Sequence, residues 1–219
     1  MDSEKTLDIS IVLDTVCPWC YVGKRRLEKA VSLAREKWPE FAVNIDYLPY
    51  QLDTQIGKGL DKAEIYQKKF GNRAEAIIKR MSEAGRADGI EFKFSGKMSN
   101  TLDSHRLIDY AVRQKGAEGQ EKVVESLMHR YFENEEDIGD VQVLLAAAED
   151  GDLDRQEIAK YLESDEGVDE VKEKAARVQD LGISGVPFYI INNRFGISGA
   201  ETPEVFLDTF AKVFDKCQS

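Results

Sequence analysis

Residues Asp14 to Ala30 read DTVCPWCYVGKRRLEKA, in which Cys17 and Cys20 enclose Pro18 and Trp19. Two thiols at this spacing can hold a metal, form a fixed crosslink, or cycle between dithiol and disulfide. A thiol reacts as its thiolate, so the redox reading requires a positive local potential at a reachable position. The amino end of a helix offers that potential through free backbone N–H groups and the helix dipole. Pro18 suits a first helical turn, where its missing N–H has no intrahelical partner to lose. Cys17 is then expected at the N-cap as the nucleophile. Cys20, one turn on and on the same side, is expected to displace whatever Cys17 has captured.

The rival chemistries are weaker. C-x-x-C is half of a zinc site, but no second pair follows, and His105 and His129 stand apart from it, so no metal is expected. A structural bridge spanning so few residues restrains the unfolded chain little. Cys217, the remaining cysteine, reads as an inert tail thiol, with glutathionylation or an intermolecular bridge as the alternative.

Other side chains could tune or serve the pair. Asp14 ends the preceding apolar run, where a partly buried carboxylate can exchange a proton with Cys20 or serve a turn. Lys24, Arg25 and Arg26 read as a solvated basic face or as an attraction for an anionic substrate. His105 shares a helical face with Leu102, Ile108 and Val112. It is either a satisfied core residue or a contact to the cysteine site that stabilises a thiolate. Trp19, Tyr21 and Phe188 are expected to form an apolar rim. In SGVPFYI, Pro187 opens a strand, where its absent N–H fits a cis turn, the alternative being a trans proline at a strand edge.

The elements that must carry these groups follow from periodicity. LDISIVL, Leu7 to Leu13, reads as a mostly buried strand. A helix with Trp19, Gly23, Leu27, Ala30, Ala34 and Trp38 on one face follows, and then a strand in FAVNIDYLPY. From about Asp61 to Leu181 the pattern is helical, with breaks expected at Gly71, Gly89, Gly96, Gly116, Gly139, Gly151 and Gly167; IEFKFSG is too short to classify. VPFYIINN and FGISG read as strands joined by a tight hairpin at Asn192-Asn193-Arg194. A final helix starts at Thr202-Pro203 with Phe206, Phe210, Val213 and Phe214 on its packing face. The fold class is α/β: a thioredoxin fold, residues 1–60 and 182–219, with a large all-helical insertion, 61–181, between its second and third strands.

Composition removes other classes. The chain of 219 residues can bury a sizeable core, and hydrophobic residues are 42% against 32% charged, so long disordered stretches are not expected. Thirty Lys and Arg against 41 Asp and Glu leave a net charge of −11, which argues against nucleic acid or an anionic membrane surface as partner. The start MDSEKTLDISIVLD has acidic residues and no continuous apolar stretch, and no run approaches the ~18 residues of a membrane span, so a cytoplasmic location is expected.

With CPWCYVGKRRLE, LPYQLDTQIGKGLDKAEIYQKKFG, NTLDSHRLIDYA, YFENEEDIGD and SGVPFYIINNRFGISGAETPEVF in hand, nearly the whole chain resembles the FrnE group of the DsbA-like thioredoxin superfamily. The resemblance implies a thiol-disulfide oxidoreductase acting on protein or small-molecule disulfides, with disulfide isomerase activity as a variant. Glutathione or a reductase is its implied reductant, and no other cofactor is needed. It also implies that a cis-proline loop faces the cysteine pair, with Pro187 completing the catalytic set and Val186 offering backbone groups to an incoming peptide. Pro18, Trp19, Asp14 and His105 complete the expected set of binding and tuning residues. The alternatives are a glutathione-dependent isomerase or transferase of the kappa-class type, and a non-catalytic chaperone-like binding module.

Overall fold

The computed structural model describes residues 5–216, so Cys217 lies outside the described residues. Strand β1 (Lys5–Leu13) runs into α1 (Pro18–Lys37), and the chain returns as β2 (Phe41–Pro49). β1 and β2 are parallel, in register from Lys5 opposite Phe41 to Leu13 opposite Pro49. Parallel pairing needs a crossover element, and α1 is that element.

The next stretch holds a two-residue strand β3 (Leu60–Asp61), α2 (Lys62–Phe70), a short 3-10 turn, α3 (Ala74–Ala87), a second two-residue strand β4 (Lys97–Met98), and then α4 (Leu102–Glu133), α5 (Val141–Asp150), α6 (Arg155–Glu163) and α7 (Val168–Asp180). Asp61, Asp140 and Asp154 cap α2, α5 and α6 by accepting first-turn backbone N–H groups. Every glycine at which a break was expected lies at a helix end, in a connection or at a kink; Gly116, at φ 68° and ψ −163°, bends the long α4. The insertion is helical as expected, with one addition: β3 and β4 pair antiparallel. IEFKFSG forms no strand. Its Phe92 and Phe94 instead fill gaps between helices, with Phe92 5.1 Å from Phe132 and Phe94 5.4 Å from Tyr66.

The chain re-enters the sheet as β5 (Phe188–Ile191) and β6 (Phe195–Ser198) and ends in α8 (Pro203–Lys216). The hairpin turn places Asn192 and Asn193 at φ 49° and 51°, a conformation asparagine tolerates better than most residues. Sheet order is β2-β1-β5-β6, with β1 antiparallel to β5 and β5 to β6. β1 is thus central, which accounts for its continuous apolar end: Ile11, Val12 and Leu13 are all buried. α1 and α8 pack on each other, while α4 and α7 lie against β2. Among the described residues, no helix is long and apolar enough to cross a membrane.

Candidate active site

Where β1 hands over to α1, the chain makes a tight turn: the Cys17 N–H donates to the Asp14 carbonyl at 3.0 Å, and the Cys20 N–H donates to the Cys17 carbonyl at 3.0 Å. Cys17 is the N-cap at φ −90° and ψ 113°, with Pro18 opening the helix. Both cysteines are free thiols. The peptide bond between Val186 and Pro187 is cis, and the Cys17 Sγ lies 3.7 Å from the Val186 carbonyl oxygen, to which it donates. Residues 169 apart in the chain therefore meet at the Cys17 sulfur.

The two sulfurs have different surroundings. Cys17 lines a cleft of about 360 Å³, walled by Trp19 and Val186 on one side and by Leu52, Ile65, Tyr66 and Met81 on the other. Cys20 is 1% exposed and does not reach the cleft. Burial pushes the Cys20 thiol well above the ordinary range; a hydrogen bond and charge at Cys17 push it further, and the Asp14 main chain offsets this only in part. One thiol thus opens onto the cleft, and the other lies behind it with its protonated form favoured.

Asp14 is 1% exposed and also borders the cleft; its Oδ2 accepts the Leu52 N–H at 2.7 Å, whereas Oδ1 has no hydrogen-bond partner. His105 is buried behind it, with Nε2 3.0 Å from the Tyr50 carbonyl and 3.6 Å from Asp14 Oδ1. It does not line the cleft. Of the expected set, then, Cys17, Pro18, Trp19, Val186 and Asp14 border one space, Cys20 lies under it, Pro187 forms the facing turn, and His105 touches the set through Asp14.

A family model for the DSBA-like thioredoxin domain matches residues 8–211. The chain belongs to the DSBA-like thioredoxin domain family. A protein of Bacillus subtilis (strain 168) named YwbO is 26% identical over 211 residues, covering 92% of this chain and 94% of its own. The crystal structure of a probable DsbA oxidoreductase from Streptomyces coelicolor superposes with a TM-score of 0.85 at 26% identity, over 95% of this chain and 90% of that one. The cytosolic disulfide reductase DsbM from Pseudomonas aeruginosa, solved with GSH, shares the fold at a TM-score of 0.61 and 14% identity, over 97% and 100% of the two chains.

Two expectations within this family frame are overturned. Tyr21 is not part of a rim: it is fully buried and its hydroxyl donates to Glu133 at 2.9 Å, while its ring stacks on Phe132 at 5.9 Å. Phe188 borders Gly196 and a smaller apolar group rather than the cleft, so of the three aromatics only Trp19 lies at the opening. Nor is Lys24-Arg25-Arg26 a free basic face. Lys24 is 2% exposed with its Nζ among carboxylates of Glu28, Glu121 at 2.5 Å and Glu125 at 2.8 Å. Arg25 pairs with Glu28 and Glu125, and Arg26 pairs with Asp88 and donates to the Ala200 carbonyl. Glu28, Glu121 and Glu125 would otherwise converge as a cation site, but the Lys24 ammonium stands among them.

The insertion was expected to roof the site, but the side chains that do so were not singled out. Ile65, Tyr66 and Phe70 come from α2, and Ile77 and Met81 from α3. A signal existed in the i, i+4 spacing of Ile77 and Met81 and in the cluster at Ile65-Tyr66, but periodicity announces an apolar face without saying what it covers. Burial pushes the Tyr66 phenol well up, and charge on Cys17 pushes it further, so it stays protonated.

Proposed function

We propose that this protein is a thiol-disulfide oxidoreductase whose Cys17 and Cys20 cycle between dithiol and disulfide. One observation carries the reading. The sulfur of Cys17, the N-cap residue of α1, opens into an apolar cleft while lying 3.7 Å from the carbonyl at the cis Val186–Pro187 bond. Family membership supports it at the coarser level of a DSBA-like domain.

In the reducing direction, the Cys17 thiolate attacks one sulfur of a substrate disulfide. The substrate S–S bond breaks, its other sulfur leaves as a thiolate and takes a proton, and Cys17 is left in a mixed disulfide. Cys20 then loses its proton and attacks the Cys17 sulfur, and the second substrate thiolate departs. The substrate has gained two electrons and the pair is a disulfide, which two molecules of a thiol such as glutathione return to the dithiol, leaving as glutathione disulfide. The reverse sequence oxidises a substrate dithiol. Asp14, bordering both the cleft and the Cys20 surroundings, is the group placed to receive the Cys20 proton, and His105 backs its Oδ1. The Val186 main chain is placed to pair with an extended substrate. Disulfide exchange on a protein or small-molecule disulfide is the reaction class; the potential of the pair against that of its compartment sets the direction, and a cytoplasmic setting favours reduction.

The test is insulin reduction with glutathione as electron source. Cys17→Ser is expected to abolish turnover, and Cys20→Ser to leave a mixed disulfide trapped on Cys17. Full turnover in Cys17→Ser would refute the reading. Activity that survives Cys20→Ser but requires glutathione as a co-substrate would instead favour a glutathione-dependent isomerase or transferase, and holdase activity without either thiol a binding module.

A further inference from the structure

The cysteine-bearing helix approaches the proline loop at a point with no room to spare. Gly23, on α1, faces Tyr189 of β5, two residues beyond Pro187. A β-carbon placed on Gly23 overlaps the Tyr189 hydroxyl outright, and it meets Pro187 Cγ at 3.1 Å and Ala200 Cα at 3.4 Å. Packing opposes any retreat of Tyr189: it is fully buried, with its ring edge-on to Phe206 at 4.8 Å. Its hydroxyl has no hydrogen-bond partner. A buried hydroxyl without a partner costs stability, so a tyrosine here needs a reason that phenylalanine would not satisfy. That oxygen occupies the notch left by the missing side chain at residue 23.

We infer that the Gly23–Tyr189 contact is a spacer that sets how far the Cys17–Cys20 helix stands from the Val186–Pro187 loop, and that Gly23 and Tyr189 are positioning residues for the exchange reaction. The inference rests on the reading of Cys17 as nucleophile given above. Gly23 lies one helical turn beyond Cys20, so anything that lifts α1 there lifts both sulfurs relative to Val186. A methyl group must separate the two elements by about 1 Å to reach an ordinary carbon–oxygen contact. A misplacement of that size can cost about 100-fold in rate. Burial pushes the Tyr189 phenol well up, and negative charge at Cys20 and then Cys17 adds to it, consistent with the hydroxyl lying beneath the pair and staying protonated.

The experiment uses the full chain with Cys217→Ser, so that only the pair reports. The reduced protein is mixed with dithiobis(nitrobenzoate), whose S–S bond Cys17 cleaves with release of one thionitrobenzoate; Cys20 then displaces the second as the protein disulfide forms. Gly23→Ala is expected to slow the first release about 10- to 100-fold and to shift the glutathione redox equilibrium of the pair. Adding Tyr189→Phe, which deletes the obstructing oxygen, is expected to restore most of the rate. A wild-type rate and equilibrium in Gly23→Ala would overturn the inference. So would a double variant with a native melting curve that is as slow as the single one, because the hydroxyl was then not what the methyl displaced. If Gly23→Ala does not fold alone, the double variant decides in the same way, and its failure to fold would also overturn the inference, since the contact would then carry the fold rather than the spacing. Cys17→Ser run in parallel separates the two claims: an unchanged first phase there removes the nucleophile assignment itself.

Discussion

Helix α1 is held on two flanks by different physics. On the Gly23 flank it meets β5 and α8 through close backbone approach and apolar rings, with Phe206 and Phe210 fully buried. On the Lys24 flank it meets α4 of the insertion through an ammonium and a guanidinium reaching Glu121 and Glu125. Close-packed atoms have no slack, so the first flank transmits small displacements. Long charged side chains re-aim by rotating several bonds, so the second tolerates movement while keeping the insertion attached. The flank that fixes the distance to Pro187 is the rigid one, and the flank that joins α4 of the insertion is the compliant one.

Four changes would break or sharpen that contrast. The largest effect is expected from Phe206→Ala, which empties the space beside Tyr189: a loss of about 3–5 kcal/mol in urea unfolding, insensitive to salt and to moderate acid. Lys24→Met on the other flank should cost up to about 3 kcal/mol, the lower end for a buried pair because its carboxylates are themselves about a third exposed. That cost must depend on pH. Burial opposes the charge on Glu125, but Lys24 and Arg25 outweigh it and hold its carboxyl below the usual 4.5. Above that value the unfolded and folded carboxyls are both ionised and the pairing is fully present; as pH falls through the folded value it is lost. The difference between wild type and Lys24→Met should therefore shrink below about pH 4, whereas that for Phe206→Ala should not.

A second buried lysine sharpens the point. Lys62 on α2 is 1% exposed, donating to the Tyr131 carbonyl at 3.0 Å and lying 3.8 Å above the Tyr131 ring, with no carboxylate in contact among the described residues. Burial pulls its pKa down to about 8, which Glu135 and Asp137 resist only from a distance. Lys24, equally buried, is pushed up because Glu121, Glu125 and Glu28 outweigh its burial. Between the folded value of Lys62 and the unfolded value near 10.4 the unfolded chain binds more protons, so stability contributed at this position rises with pH. Wild type should gain about 1–3 kcal/mol over Lys62→Met between pH 8 and 10 in paired unfolding curves; a flat difference would contradict this. The smallest effect is expected from Tyr189→Phe alone, which removes an unpaired hydroxyl: thermal stability unchanged or raised by up to about 1 kcal/mol.

Much of this was legible beforehand, and for local reasons. The strand, turn and helix around Cys17 follow from an apolar run, a proline at a first turn and a three-or-four spacing, all interactions between near neighbours. The Asn192-Asn193 hairpin and the glycine breaks follow from residues with special backbone preferences. The rim assignment failed at Tyr21 for a reason of the same kind. Tyr21 follows Cys20 directly, and adjacent helical residues point about 100° apart, so nearness in the chain to the active site placed it on the α4 side.

What the sequence by itself determined is the set of groups available for chemistry: two thiols at a helix start, a proline at the opening of a later strand, and a βαβ unit followed by helices and a hairpin. Only the tertiary structure decided which atoms surround that chemistry. Lys24 finds Glu125 and Gly23 finds Tyr189 across roughly a hundred or more residues of chain, and Tyr66 comes to roof Cys17 from a separate helix. Periodicity reports that a face must be covered. The partner that covers it is chosen by how whole elements pack, a property of the folded chain and not of any short stretch of it.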